Sequence, residues 1–560
     1  CPTPTPSSLR CTSTSMDGAT RPSSSSVPSS SSSWPSPCYS PCSLSALSVG
    51  RPPLECLDES SCRDLAHYFT ASALHSPDLH QRLVFLYATL FGLWWCHDLV
   101  AFLLGLRALG KTAAFYRDAL RLGPRELPAA EWHEVVFRLA ELQRAGRYRF
   151  GPAPAPPTAQ DVAGRVLRRE NYLVALVNCG VLDLSVPLPF LGAVGRGTWA
   201  ARTEGFYLTR TLEWSIHHCL LHQMFAPGAR ALRRAFAEDV GALRRRLRTA
   251  GLVHLLLLPF ALVFLATHTF LRHAQEWHAE GSYLGPREWS NYARWAFREF
   301  NELPHFFERR MAGSYKYANL YLAQFSSPLA QLAARGVRFV SGALLTVLLL
   351  LTLIDDSIAL HVKAFDHNLL WYMGVLGGAW AAAGAAASPA GRRRRDPEET
   401  LRKAAAATHY FPARWAGRAH APAVRREVAR LFPPKAALLA TELASLLFAP
   451  LILGVSLPRC AQRVVDFIES RTAETEGLGA VCAYGLFEFD KHGDPAYAAP
   501  AARGGGARGE GCREGKLEKS FVSFQAMHPD WDAGAAGRSL LGAVARFQQR
   551  SLQAQAQAQA

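Results

Sequence analysis

Val337–Leu360 reads VRFVSGALLTVLLLLTLIDDSIAL, and Asn368–Ala387 reads NLLWYMGVLGGAWAAAGAAA. At about 1.5 Å of rise per residue, each is long enough as a helix to cross a hydrocarbon core of about 30 Å. The connector Asp355–His367 carries one basic residue, Lys363, whereas Arg335 and Arg338 lie before the pair and Arg392–Arg395 after it. Cytoplasmic flanks carry the excess of Lys and Arg. The pattern therefore predicts a helical hairpin with both ends cytoplasmic and with Asp355–Asp356 solvated in the lumenal turn.

Working outward, three more apolar blocks appear at Leu83–Leu106, Leu252–Leu271 and Ala436–Leu457. The first predicts a straight span whose cytoplasmic end is marked by Arg107, Lys111, Arg117 and Arg121. The second has Pro259 near its middle and is interrupted by His254 and His268; the third contains Glu442 and Pro450. Proline removes a helical N–H donor, and a bilayer tolerates interrupted backbone only where protein or water satisfies it. Both blocks are expected to be membrane-embedded but broken, as re-entrant segments. Arg230–Arg248 interleaves seven arginines with Leu232, Phe236, Val240, Leu243 and Leu247, which reads as an amphipathic basic helix suited to an anionic membrane surface. The expected fold class is all-α and polytopic, with cytosolic helical regions between the embedded blocks.

The 560 residues hold 61 Lys+Arg against 45 Asp+Glu, a formal charge of +16, with 49% apolar residues. That apolar fraction excludes a wholly disordered or fibrous chain. The charge points to a polyanionic neighbour, and the apolar blocks select a membrane over nucleic acid. Residues 1–53 are rich in Ser, Pro and Thr and predict disorder. The expected organisation is a low-complexity region over 1–80, a membrane core over 81–547, and a disordered tail over 548–560 that ends QAQAQAQA. Six of the twelve cysteines precede residue 63, and no C-x-x-C occurs after it, so neither a zinc framework nor a disulfide scaffold is indicated. The chain begins at Cys1 and is expected to be a fragment.

Gly105–Thr112, GLRALGKT, fits the phosphate-loop pattern G-x-x-x-x-G-K-[ST]. Such a loop follows a short strand, whereas here a long apolar block runs straight into it, and a helical stripe continues through Leu106, Leu109 and Phe115. The match is read as chance; a P-loop nucleotidase is kept as an alternative. His97–Asp98 lies inside an apolar block, where ionisable groups usually face protein or water. It could line a lipid or ion path, and with the paired broken blocks it supports a second alternative, an ion or solute transporter. His217, His218, Cys219 and His222 lack a second ligand pair, so no metal site is expected. The motifs G-x-S-x-G and H-E-x-x-H are absent.

Six stretches carry a resemblance: Arg169–Asn178 (RENYLVALVN), Phe297–Met311 (FREFNELPHFFERRM), Tyr315–Pro328 (YKYANLYLAQFSSP), His409–Gly417 (HYFPARWAG), Gly477–Tyr497 (GLGAVCAYGLFEFDKHGDPAY) and Gly515–Trp531 (GKLEKSFVSFQAMHPDW). From about residue 81 to 547 the chain resembles the autophagy-related protein 9 family of multispanning lipid scramblases. The resemblance implies four transmembrane helices plus embedded half-helices, cytosolic termini and a domain-swapped homotrimer. Leu83–Leu106, Val337–Leu360 and Asn368–Ala387 would be the second, third and fourth spans; no first span occurs in residues 1–80, so truncation is expected. It further implies scrambling of phospholipids without ATP, cofactor or chemical step. Its partners would be an autophagy lipid-transfer protein and the autophagy initiation complex. Its location would be Golgi- or endosome-derived vesicles and the preautophagosomal membrane. Candidate residues for the lipid path are His97, Asp98, Glu280, Arg287, Arg294, Arg298 and Glu442.

Overall fold

The computed structural model describes residues 79–148, 156–186, 207–226, 231–279, 286–325, 328–354, 363–364, 367–387, 396–476, 478–494, 497 and 513–559. Residues 1–78, expected to be largely disordered, and the candidate Glu280 lie outside that set. The chain divides into two compact units, the second starting at Arg149.

In the first unit, helix α1 (Leu79–Ala114) runs into a π turn at Phe115–Ala119, and α2 (Trp132–Arg144) follows after a loop. Arg138 of α2 donates to the carbonyls of Leu120 and Arg121 at 2.9 and 3.1 Å and so ties that loop down. Leu86, Leu93, Leu103 and Leu104 stand exposed along α1. An apolar face of this size suits hydrocarbon rather than water. Gly105–Thr112 is regular helix within α1, and Thr112 Oγ1 donates to the Ala108 carbonyl at 3.1 Å. A phosphate loop needs unspent backbone N–H groups, and the helix spends them. The geometry contains no such loop.

The second unit is built almost wholly from helices because its apolar positions recur at helical spacing between Pro, Gly and polar punctuation. They are α3 (Ala159–Val166), α4 (Arg168–Asn178), α5 (Arg210–Ile216), α6 (Val240–Leu256), α7 (Leu258–Ala279), α8 (Asn291–Phe297), α9 (Pro304–Ala323) and α10 (Pro328–Ile354). Beyond the short antiparallel pair β1 (Lys363–Ala364) and β2 (His367–Asn368) come α11 (Leu369–Ala387), α12 (Pro397–Thr408), α13 (Pro422–Leu431), α14 (Lys435–Leu451) and α15 (Leu457–Ser470). A second hairpin, β3 (Thr472–Thr475) and β4 (Gly479–Cys482), precedes α16 (Lys516–Met527) and α17 (Gly534–Gln559).

Two cores form. One packs α4, α5 and α6 with α15 and α16 around Leu173, Leu176, Leu212, Val465 and Phe521. The other packs α8, α9, α12 and α13 around Trp289, Phe297, Phe307 and Phe432. Helices α10 and α11 form the expected hairpin: Thr352 meets Met373 at 3.8 Å at one end, and Arg338 lies over Trp380 at the other. Among the described residues three helical runs are long and apolar enough to cross a membrane, Phe85–Ala119, Gln331–Ile354 and Lys435–Ser470; Leu369–Gly384 is a shorter apolar helix.

Four expectations are refined by the structure. The block Leu252–Leu271 does break, by 70° between α6 and α7, at Leu257 two residues before Pro259. By contrast, Ala436–Leu457 is not interrupted: α14 continues through a π turn at Ile452–Ser456 into α15. Pro450 removes one helical N–H bond, and a widened turn absorbs that loss without reversing the chain. The basic stretch 230–248 is not one helix, since Asp239 starts a new one by accepting from the Ala242 N–H at 2.8 Å. The C-terminal residues 548–559, expected to be disordered, continue α17, in keeping with the helix propensity of Ala and Gln.

Gly251 sets how closely α6 approaches the π turn. A Cβ there would stand 2.9 Å from the Pro450 carbonyl oxygen and 3.1 Å from the Gly454 nitrogen. At Gly105 on α1 it would meet nothing within 4 Å. The two glycines should therefore answer alanine with opposite signs. Gly251→Ala is expected to destabilise by about 1–3 kcal/mol through overpacking, while Gly105→Ala gains about 0.5–1 kcal/mol. Melting temperatures of the detergent-solubilised variants check this; equal shifts would remove the close approach.

Candidate functional site

Beside the bent pair, polar side chains meet between helices that are otherwise apolar. The Glu442 carboxylate of α14 accepts from the Arg210 backbone N–H at 3.0 Å. One turn on, Ser445 Oγ lies 2.6 Å from Thr209 Oγ1, which also caps α5 by accepting from the Leu212 N–H. Tyr207 reaches the Thr441 carbonyl at 3.5 Å. On the α6 side, Ser215 Oγ lies 3.3 Å from His254 Nε2 and donates to the Thr211 carbonyl. Thr209, Ser215 and Ser445 are each buried. The result is a seam of hydroxyls, one carboxylate and one imidazole running along helices whose other faces are leucine-rich. The seam thus places polar groups between apolar helices with their hydrogen bonds met by one another and by backbone.

A second polar cluster lies within the cores. Glu299, Asn301 and Glu302 are each about 2% exposed. Arg310 donates to both Glu302 oxygens at 2.8 Å and to the carbonyls of Ala407 and Phe297 at 2.8 and 3.0 Å. Glu299 meets His409 Nδ1 at 2.6 Å. Lys516 Nζ donates to the Ala296 carbonyl at 2.8 Å. Asn171 and Asn301 exchange hydrogen bonds, and Asn301 Nδ2 also donates to the Gly485 carbonyl at 2.6 Å. Burial acts to raise the Glu299 pKa, but it is outweighed by the His409 hydrogen bond and by the charges of Arg310, His409 and Lys516, which hold it below its ordinary value. Burial likewise pushes Lys516 down to about 8, against the pull of Glu299.

Residues 58–488 match the family model described as Autophagy protein ATG9. The chain belongs to the autophagy-related protein 9 family. It is 31% identical over 515 residues to Autophagy-related protein 9 of Arabidopsis thaliana, covering 91% of this chain and 57% of that protein. With the Mycosarcoma maydis protein of the same name it shares 35% identity over 481 residues, 78% of this chain and 59% of the relative. The chain thus spans between half and two thirds of the length of these relatives. Its fold is similar to the cryo-EM structure of Schizosaccharomyces pombe Atg9, with a TM-score of 0.53 and 28% identity over 72% of this chain and 88% of that one.

In this member of the autophagy-related protein 9 family, the residues singled out from sequence do not form one site. Glu442 sits in the polar seam. Arg287, Arg294 and Arg298 lie instead against the packed cores: Arg287 donates to the Phe432 carbonyl at 3.0 Å, Arg294 pairs with Glu308, and Arg298 pairs with Glu170 at 2.6 Å while its guanidinium stacks over Trp295. His97 and Asp98 are 3.7 Å apart on α1, in the first unit, with His97 well exposed. His217, His218 and His222 gather on the π turn after α5, yet among the described residues no group of three donors is placed to hold a metal.

Thr209, Ser215 and Ser445 were missed because single hydroxyls in apolar runs carry no pattern; Glu442 and the interrupting His254 were the visible signs. The buried cluster had a stronger signal. Five of the six family-like stretches contribute a residue to it, Asn171, Asn301, His409, Gly485 and Lys516.

Removing Arg310 would leave Glu302 and Glu299 buried with half their counter-charge gone. Arg310→Ala is expected to cost about 3–5 kcal/mol, read as a large fall in melting temperature. For Glu299, a folded pKa below the unfolded one means the unfolded chain binds more protons in acid. Its contribution is complete above the ordinary value of 4.5 and is lost as the pH falls through the lower folded value. Glu299→Gln should therefore flatten the acid limb of stability against pH; an unchanged limb would assign it to other carboxylates.

Proposed function

We propose that this chain is an ATP-independent phospholipid scramblase, with no chemical step, that supports expansion of the autophagosomal membrane. The observation that carries this reading is the polar seam of Glu442, Ser445, Thr209, Ser215 and His254, set against α6 and α7 where they bend by 70°. A lipid head group entering hydrocarbon faces the full cost of burying a hydrated charge. A hydroxyl-lined seam between apolar helices lowers that cost for the head group while the acyl chains stay against exposed residues such as Leu252 and Leu256. The lipid runs down its own gradient, so no nucleotide is required. The active form is a homotrimer, acting with an autophagy lipid-transfer protein and the initiation complex. It does so on Golgi- or endosome-derived vesicles and at the preautophagosomal membrane, as the family resemblance implies.

Dithionite quenching of labelled phospholipid in proteoliposomes tests this. Quenching well beyond half the label is expected for the purified protein. Glu442→Leu should slow exchange about tenfold, the equivalent of about 1.4 kcal/mol and one charged hydrogen bond. Quenching that stops at half would overturn the scramblase reading, and solute flux in the same vesicles would then favour a transporter.

A further inference from the structure

The open end of the α10–α11 hairpin holds a groove of about 700 Å³ lined by Arg335, Arg338, Phe339, Gly342, Thr346 and Trp380, among others. Its α10 residues follow helical spacing, so Arg335, Arg338, Gly342 and Thr346 share one face. Gly342 is what lets the indole lie there: a Cβ on it would stand 2.9 Å from Trp380 Cδ1. Arg338 is fixed in turn, its guanidinium 4.9 Å from the Trp380 ring centroid, where a Cβ added to Gly384 would lie 3.5 Å from its Cζ. A guanidinium stacked in this way keeps its N–H edges for the oxygens of an anion.

The charge balance distinguishes this groove from the paired arginines of the packed cores. Arg294, Arg298, Arg310 and Arg414 are each paired with a glutamate. Among the described residues no carboxylate lies within ion-pair reach of Arg335 or Arg338, and both are exposed. The sixteen helical steps from Arg338 to Ile354 rise about 24 Å, which sets the two arginines at one edge of a ~30 Å hydrocarbon layer. Phe339, 77% exposed, and Leu345 line the same groove as apolar surface.

We propose that this groove binds the phosphate of an anionic membrane phospholipid, with Arg335 and Arg338 on the head group and the acyl chains along Phe339 and Leu345. Two charge-assisted contacts to one phosphate give a strong, directional hold. The site requires only that α10 and α11 lie in a membrane and stands apart from scrambling. Soluble phosphate esters share the head-group chemistry but cannot use the apolar surface, which is why the lipid is the assigned ligand.

Native mass spectrometry of the full chain in detergent, titrated with phosphatidylglycerol, diacylglycerol or inorganic phosphate, tests the proposal. Phosphatidylglycerol should be retained and diacylglycerol should not. The double variant Arg335→Gln/Arg338→Gln should weaken retention about tenfold or more, while Arg335→Lys/Arg338→Lys should keep much of it. Phe339→Ser, which leaves the charges alone, should weaken it several-fold and serves where the glutamine pair fails to fold. Equal retention by wild type and glutamine pair, or equal binding of diacylglycerol, would overturn the site. Displacement of the lipid by low-millimolar inorganic phosphate would overturn its assignment to lipid. Because the readout needs no bilayer crossing, a protein that binds but does not scramble loses only the proposed function, and one that scrambles with binding unaltered by the variants loses only this site.

Discussion

The bidentate pair between Arg310 and Glu302 is the constraint around which the second unit is organised. Both partners are withdrawn from water, and an ion pair in that position is tolerable only if every remaining donor and lone pair finds a partner. Arg310 meets the requirement with the carbonyls of Phe297 and Ala407, which belong to α8 and to α12. Glu302 meets it by accepting from the Glu299 backbone N–H at 3.0 Å. The geometry therefore dictates that α8, α9 and α12 close on one point, and Lys516 and His409 carry the same demand to α16 and to the end of α12. Apolar packing around Phe297 and Phe307 supplies free energy; the charged pair supplies uniqueness of arrangement.

The membrane-facing parts obey a different rule. Along α1, α6 and α10 the large apolar residues left exposed are leucine, valine, isoleucine and phenylalanine, so the solvent for which these stretches are suited is hydrocarbon. In the seam between α5 and α14 the polar atoms are matched, Glu442 with a backbone amide and Thr209 with Ser445. Helix termination then becomes a means of placing polar groups. The bend at Leu257 and the π turn at Ile452–Ser456 lie on the two elements that Gly251 brings into contact.

Much of this was legible in the sequence because hydropathy and charge are local properties. The α10–α11 hairpin followed from two apolar runs and their arginines, and the break near Pro259 from the proline itself. Pro450 was misleading: a missing N–H shows in the sequence, but whether the chain bends or widens depends on the helix packed against it. The arginines were the least legible. Arg298 carries the same letter as Arg338, yet its partner Glu170 lies 128 residues away and only the fold brings it near. Sequence gives a charge; the neighbour decides whether that charge is structural or available.

The contacts of Asn301 also impose an order on synthesis. Its amide bridges Asn171 and Gly485, and the amide N–H of Phe300 beside it waits for the hydroxyl of Ser520. At ribosomal rates of about 5–20 residues per second, some 220 residues separate Phe300 from Ser520 by roughly 10–45 s. Within that interval α10, α11 and α14 are made and leave the ribosome. The packed core around Phe300 therefore closes only after the apolar helices that lie between it and Ser520 have been made.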